Sequence, residues 1–398
     1  MDITISPGLL RGTVEIIPSK SQAHRMLICA AFADPPTTLI CPETSRDMDA
    51  TAECLNALGA DIRKASMGYW VYPVSQVPQN AVLNCHDSGS TLRFMLPVAG
   101  ALGVDTVFQM EGRLPERPLS PLWEEMERMG CRLSRPTKNT IRCEGRLQAG
   151  CYSIDGGVSS QFITGLLLAT ALIPGKSQIR ISGKIESRPY IVMTQHAMAL
   201  FGMDITDFLV DGTRQFSSPG ILEVEGDWSN GAFFLAAQAL GNEVIVSNLH
   251  DDSPQGDRTV KDLLPALDKN IVISAGDIPD LVPILAVVAA CRQGAVFTDI
   301  QRLRLKESDR VASVVNMIRA LGGNASATED TLTVSGTGLT GGIVDSVNDH
   351  RIAMAAAIAA TVCTKPVTIL GAQCVEKSYP KFFEEYTRLG GHYEQYLR

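Results

Sequence analysis

The chain has 398 residues, 45% hydrophobic and 20% charged, with 35 Lys plus Arg against 43 Asp plus Glu for a net charge of −8. That is enough apolar chain for two to three domains with full cores, and the acidic balance argues against a nucleic acid or an anionic membrane as a partner held by bulk charge. The longest apolar run, 281–291, is too short for a bilayer, which needs about 20 residues.

From the N-terminus, Met1-Asp2-Ile3-Thr4 shows neither the basic start nor the apolar core of a signal peptide. The extended run 13–17 is broken by Pro18 and followed by Ser19-Lys20-Ser21-Gln22-Ala23-His24-Arg25, which opens an apolar helical segment over 26–33. Two cations and two hydroxyls thus lie at a strand-to-helix turn. Unpaired N–H groups and the helix dipole favour an oxyanion there, although Ser-x-Ser before a helix is also ordinary capping. Asp47 begins the helix 50–58, and nothing there demands a function.

Asp87-Ser88-Gly89-Ser90-Thr91-Leu92-Arg93 is read as an Asp-capped helix start whose small residues let a ligand approach the backbone. The loop 111–119 carries Arg113 and Arg117 and is stiffened by prolines, suiting either bidentate anion recognition or plain solvation. Ser159, Ser160 and Gln161 crowd the start of the helix 163–173, where one hydroxyl would suffice as a cap. Glu186-Ser187-Arg188-Pro189-Tyr190 repeats the theme as a turn.

In the second half, Gly276-Asp277-Ile278-Pro279-Asp280 heads the most apolar helix. One aspartate can cap it, leaving the other at the edge of a core, where desolvation can make it a base. Residues 302–310 hold six charges, and the alternation of Leu303 and Leu305 predicts a strand ending at Lys306, with Lys306, Glu307 and Arg310 on the following turn. Asn348-Asp349-His350-Arg351 precedes an Ala-rich helix over 352–362, and Glu376-Lys377-Ser378-Tyr379-Pro380 precedes the last one. Seven cations (Lys20, Arg25, Arg117, Lys306, Arg310, Arg351, Lys377) therefore stand at turns of an acidic protein, which points to a site for small polyanions. The ten cysteines form no Cys-x-x-Cys pair and no zinc-type spacing, so reduced, mostly buried thiols of a cytoplasmic protein are expected, with no metal site.

A repeat underlies these turns. Helical patterns end in an apolar residue and then Gly59, Gly130, Gly202, Gly322 or Gly390 before a short strand, with Asp268 in the same place in a sixth copy, at spacings of 71, 72, 66, 54 and 68. Glycine takes the left-handed conformation past a helix end without steric cost. Six α/β units divide into two domains of three. The expected boundaries are 1–18 plus 227–398 for one domain and 19–226 for the other, with Ser19 to Arg25 at a hinge cleft between them.

Together these residues resemble the enolpyruvyl transferase family, and within it the branch acting on shikimate 3-phosphate. The motifs are Ser-Lys-Ser-x-x-x-Arg at 19–25, Gly-x-x-x-Arg at 89–93, Glu-Arg-Pro at 116–118, Ser-Ser-Gln-Phe at 159–162 and Ser-x-Pro-Tyr at 187–190. They continue with Ile-Pro-Asp at 278–280, Lys-Glu-x-Asp-Arg at 306–310, Asp-His-Arg at 349–351 and Lys-x-x-Pro at 377–380. The resemblance implies an α/β fold of two globular domains, each of three repeated β/α units, an inside-out α/β barrel. It implies transfer of the enolpyruvyl group of phosphoenolpyruvate to the 5-hydroxyl of shikimate 3-phosphate through a tetrahedral intermediate, with release of phosphate, a chemistry of proton transfers and phosphate departure for which no cofactor is expected. Carried over by position, Lys20, Gly89, Arg117, Gln161, Arg310, Arg351 and Lys377 would hold phosphoenolpyruvate. Lys20, Ser21, Arg25, Ser159, Ser160, Gln161, Ser187, Tyr190, Asp280 and Lys306 would hold shikimate 3-phosphate. Glu307 matches the acid, Asp280 the base, and Lys20 the group bridging both substrates.

Two positions depart from the family pattern: Arg302 stands where an Asn is expected, and 87–90 reads Asp-Ser-Gly-Ser rather than Asn-Ala-Gly-Thr. The related branch acting on UDP-N-acetylglucosamine has Asn after the N-terminal lysine and a Cys in the Arg loop, whereas here Ser21 follows Lys20 and 112–121 lacks Cys. A nucleic-acid clamp built from repeats would need a basic inner face, which the acidic composition disfavours. A monomer is expected, since a site built from two domains needs no second chain.

Overall fold

The computed structural model describes residues 1–396, and in it the chain forms two compact units: Met1–Ile17 with the chain from Gly226 on, and Pro18–Glu225. The crossings fall one residue before the expected positions. Ile17 O accepts from Asp227 N at 2.9 Å in the first unit, and Ser19 N donates to Glu225 O at 2.7 Å in the second.

The repeat is clearest in the middle of each unit. In the second unit, strand Asn80–Asn84 runs parallel to Asp105–Gln109 through the helix Gly89–Leu102, and a hairpin of Cys131–Thr137 and Thr140–Gly145 adds two antiparallel strands. The first unit repeats this with Ile271–Ser274, helix Val282–Cys291, Ala295–Thr298, and the hairpin Asn324–Ala327 and Leu332–Ser335. The other sheets borrow a strand from far along the chain. Ile221–Glu223 lies beside Thr37–Ile40, Arg11–Glu15 beside Glu243–Ser247, and Asp2–Ile5 between Val367–Leu370 and Tyr393–Tyr396. Of the two remaining sheets, one places Lys176–Ser182 between Cys151–Asp155 and Leu209–Asp211, and the other pairs Ala33–Asp34 with Phe216–Ser217.

Helices that are apolar on every side must be covered on every side. Every residue of His350–Ala360 is buried, as are 282–290, while the strands Thr37–Ile40, Ala295–Thr298 and Val367–Leu370 alternate between buried and partly exposed positions. Helices therefore fill the interior of each unit and the sheets turn their second face to solvent. Each unit has its own apolar core, and the two cores share no residue. The five repeat glycines sit just past helix ends at φ from 78° to 113°, as the turn into the next strand requires.

Four local expectations are corrected. Residues 301–305 form a 3-10 turn rather than a strand, because Leu303 is buried while Leu305 is left exposed. Ser88, not Asp87, caps Gly89–Leu102, its hydroxyl accepting from Thr91 N. Neither Asp277 nor Asp280 caps the helix Val282–Cys291, which opens at Leu281 without a side-chain cap. Ser19 precedes Lys20–Ala31 but forms no side-chain cap bond. Among the described residues no helix is long and apolar enough to cross a membrane, and no group of three or more His, Cys, Asp and Glu is placed to hold a metal ion. All ten cysteines are free thiols, eight of them buried.

Candidate active site

Apart from Arg117, which follows the 3-10 turn Leu114–Glu116, the predicted residues of the second unit lie at or near the N-terminal ends of its helices. Lys20 opens Lys20–Ala31, and its Nζ meets Asp47 Oδ2 at 3.0 Å with the side chains only 12% and 6% exposed. Asp47 lies in the first turn of Arg46–Ala57, where a carboxylate is also favoured by the dipole. Sequence reading assigned it no role, because a first-turn acid is usually just solvated.

Arg25, one turn on from Ser21, is buried among four partners. Its Nε donates to Thr194 Oγ1 at 2.8 Å, Nη1 to Ser21 O at 2.5 Å, and Nη2 to Tyr190 O at 3.0 Å and Thr164 Oγ1 at 3.4 Å. Of the five N–H groups of a guanidinium, these bonds leave one Nη1 hydrogen. Burial pulls the Arg25 pKa down to about 10, still charged at neutral pH. The arginine thus ties Ser21 to the helices Ser160–Thr170 and Arg188–Leu200, at whose starts Ser159, Ser160, Ser187 and Tyr190 lie. Ser159 accepts from Gln161 N at 3.3 Å, whereas Ser187 sits in the left-handed region at φ 53° and makes no cap bond.

Gly89, Arg117 and Gln161 are brought together by Arg93. Arg93 Nη1 donates to Gln161 Oε1 at 3.1 Å and Nη2 to Pro118 O at 3.1 Å, while Gln161 Nε2 donates to Ser90 Oγ at 2.9 Å. A Cβ on Gly89 would fall 2.5 Å from Arg117 Nη1 and 2.7 Å from Arg93 Nη1, so any side chain there would push both guanidinium groups aside. Arg117 Nε is buried without a hydrogen-bond partner, a donor that desolvation leaves unpaid unless an acceptor arrives.

In the first unit, the charges at the starts of three helices interlock. Asp280 accepts from Arg310 Nη1 at 2.6 Å and from Arg351 Nη2 at 2.9 Å, with Lys306 Nζ at 3.6 Å. Arg310 turns Nη2 to Glu307 Oε2 at 2.6 Å and Nε to Asp349 Oδ2 at 2.9 Å. Asp349 caps His350–Ala360 by accepting from Arg351 N at 3.0 Å, and also takes the Ser308 hydroxyl at 2.9 Å. Burial alone would raise the Asp280 carboxyl, but Arg351, Lys306 and Arg310 together outweigh it and hold its pKa well below the usual range. Burial pulls the Lys306 ammonium down to about 8 against the attraction of Asp280, with Arg310 and Arg302 adding to the depression. Lys377 ends the 3-10 turn Ala372–Lys377 and is buried.

Asp257, which sequence reading passed over, is 3% exposed and takes a short hydrogen bond from the Ser229 hydroxyl on Oδ2, while its Oδ1 is buried without a partner. Burial first, and then the Asp280 charge, raise its pKa to about 7 against the pull of Arg351. The one signal in the chain is a Gly-Asp pair, Gly256-Asp257, opening a short turn, as Gly276-Asp277 does before Asp280.

Each cluster offers cationic or N–H donors for anions, and the one in the first unit adds three carboxyls, on Asp280, Glu307 and Asp349, joined through Arg310. A family model described as EPSP synthase (3-phosphoshikimate 1-carboxyvinyltransferase) matches residues 5–386. The chain is 36% identical to a 3-phosphoshikimate 1-carboxyvinyltransferase of Clostridium kluyveri, covering 99% of this chain and 98% of that one. It is 35% identical to one of Clostridium botulinum, covering 98% of each. A solved EPSP synthase of Acinetobacter baumannii has the same fold, with a TM-score of 0.81 at 23% identity over 99% of this chain and 100% of that one.

Proposed function

This chain belongs to the EPSP synthase (3-phosphoshikimate 1-carboxyvinyltransferase) family, and on that premise we propose how its residues move the enolpyruvyl group of phosphoenolpyruvate to the 5-hydroxyl of shikimate 3-phosphate. The observation that carries the assignment is the Asp280 carboxylate at the junction of Arg310, Arg351 and Lys306, with Glu307 on the same Arg310.

Phosphoenolpyruvate becomes electrophilic at C2 only when its methylene carbon is protonated, and Glu307 is the acid for that step. Asp280 takes the proton of the attacking hydroxyl as the new C–O bond forms. Its three cations make it a weak base. Arg310 and Arg351 are also the proposed grips for the anionic groups of phosphoenolpyruvate, so the substrate competes for them and gives the carboxylate back its basicity. The resulting tetrahedral intermediate loses phosphate from C2 and a proton from the new methyl group, restoring the double bond. Lys20, oriented by Asp47, stabilises the charge on that intermediate.

Lys20, Gly89, Arg117, Gln161, Arg310, Arg351 and Lys377 take phosphoenolpyruvate in this reading, and the unpartnered Arg117 Nε supports the assignment. Lys20, Ser21, Arg25, Ser159, Ser160, Gln161, Ser187, Tyr190, Asp280 and Lys306 take shikimate 3-phosphate, with Arg25 acting mainly through its charge and its hold on the helix starts. The protein acts as a monomer in the cytoplasm in this reading.

The test is phosphate release from phosphoenolpyruvate with shikimate 3-phosphate or UDP-N-acetylglucosamine as acceptor, on the wild type and on Glu307→Gln. Release that needs shikimate 3-phosphate and falls at least about 10²-fold in the variant is expected of a lost general acid. Release with the other acceptor, or full activity in the variant, would overturn the assignment.

A further inference from the structure

Arg351 serves more than one carboxyl. Its Nη2 holds Asp280 at 2.9 Å, and its charge also acts on Asp257. Asp257 sits in the 3-10 turn Gly256–Thr259, and the groups that bear on it are Ser229 and Asp227 at the start of the helix Trp228–Ala239, Asp280, and Arg351. On its own turn Arg258 points away, to the Asp251 carbonyl. Ser229 supplies a single donor to one oxygen, and the other oxygen is buried with none. An ionised carboxylate in that place would be half-satisfied and beside another anion, a state that proteins avoid by keeping a proton on one member of the pair.

Resting on the assignment of Arg351 to phosphoenolpyruvate, we propose that Asp257 is a positioning residue that works in its protonated form, leaving the Arg351 charge to Asp280 and to the incoming substrate anion. The argument is one of competition. If Asp257 ionises, Arg351 faces two anionic carboxylates, and its attraction for a third anion weakens. By reciprocity, a bound anion makes Asp257 harder to ionise, so binding above neutral pH takes up a proton.

The experiment measures the KM for phosphoenolpyruvate from pH 6 to 9 in the wild type and in Asp257→Asn, which fixes the neutral shape. Ionisation of the substrate itself, and of Lys306 near pH 8, is common to both proteins and cancels in their ratio. The wild-type KM should rise about tenfold relative to the variant as pH passes through about 7, a coupling of ordinary size. Parallel profiles in the two proteins would overturn the proposal. Ser229→Ala is a second, independent arm: it removes the donor that favours the ionised form, so the wild-type transition should move to higher pH. A transition that stays put or moves lower counts against the proposal, even if the Asn variant fails to fold. Arg351→Lys at pH 6 separates this idea from the assignment beneath it. An unchanged KM there sinks both, whereas a raised KM with parallel profiles sinks the role of Asp257 alone.

Discussion

Asp349 receives Arg310 Nε at 2.9 Å with the two side chains no more than 1% exposed. A charge buried this deeply is tolerable only while paired, because removing one partner leaves the other desolvated and unmatched. Asp349→Ala should therefore lower stability by about 3–5 kcal/mol, read from urea unfolding. It should also abolish measurable transfer, since Arg310 loses the anchor that aims its other nitrogens at Asp280 and Glu307. A cost under about 1 kcal/mol would show that water reaches Arg310 and that the pair is not the anchor.

Asp47 gives a prediction read mainly in rate, since Lys20, 12% exposed, keeps some access to water when its partner is removed. Its carboxylate fixes the Lys20 ammonium from a neighbouring helix. Asp47→Ala should leave the circular dichroism spectrum unchanged and reduce kcat/KM by about 10- to 100-fold, the usual effect of displacing a catalytic group by about 1 Å. Retention of full kcat/KM would mean that Lys20 is held by something other than Asp47.

Gly89→Ala places a methyl carbon against Arg117 and Arg93. Both guanidinium groups can shift, so the protein should fold, but Arg117 would leave the position at which an anion meets it. The expected result is a rise in the KM for phosphoenolpyruvate of about tenfold, the effect of losing about 1.4 kcal/mol of binding, with a smaller change in kcat. If kcat falls while KM holds, Arg117 acts in the chemical step and not in binding.

His24 makes stability depend on pH. It is fully buried, its Nδ1 is 2.7 Å from Thr51 Oγ1 and its Nε2 has no partner; burial, with Lys20 and Arg25, pushes its pKa down to about 3 against the pull of Asp47. The depressed pKa means that the neutral imidazole contributes stability that is intact above about pH 6.5 and is lost as pH falls towards 3. Between pH 6 and 4.5 the wild type should lose up to about 1.4 kcal/mol per pH unit more than His24→Asn. Identical slopes in urea unfolding across that window would show that His24 is hydrated or charged in the folded protein.

The repeat was legible in the chain because the step from a helix end into a strand needs a left-handed residue, and glycine marks it at five of six places. The charged turns were legible for a related reason: Lys20, Gly89, Gln161, Asp280 and Arg351 stand at or near helix starts, where sequence pattern is most readable. What escaped was pairing across the fold. Asp47 and Asp257 look like ordinary acids near the starts of helices or turns, and the groups that bear on them, Lys20 and Arg351, stand on other elements of the fold. Residues 302–305 misled because alternation of Leu with Arg has the period of a strand, while burial of Leu303 alone suits a 3-10 turn equally well.

The borrowed strands have a consequence in time. Asp2–Ile5 is synthesised well before its neighbours, Val367–Leu370 and Tyr393–Tyr396; Thr4 meets Thr368 across 364 residues of chain. At about 5–20 residues per second the ribosome needs about 20 to 70 s to supply that partner. The inserted unit, Pro18–Glu225, has all its strands by then and can close first. The N-terminal strands wait meanwhile with unpaired edges, which makes the nascent chain, more than the finished protein, the form most in need of protection from aggregation.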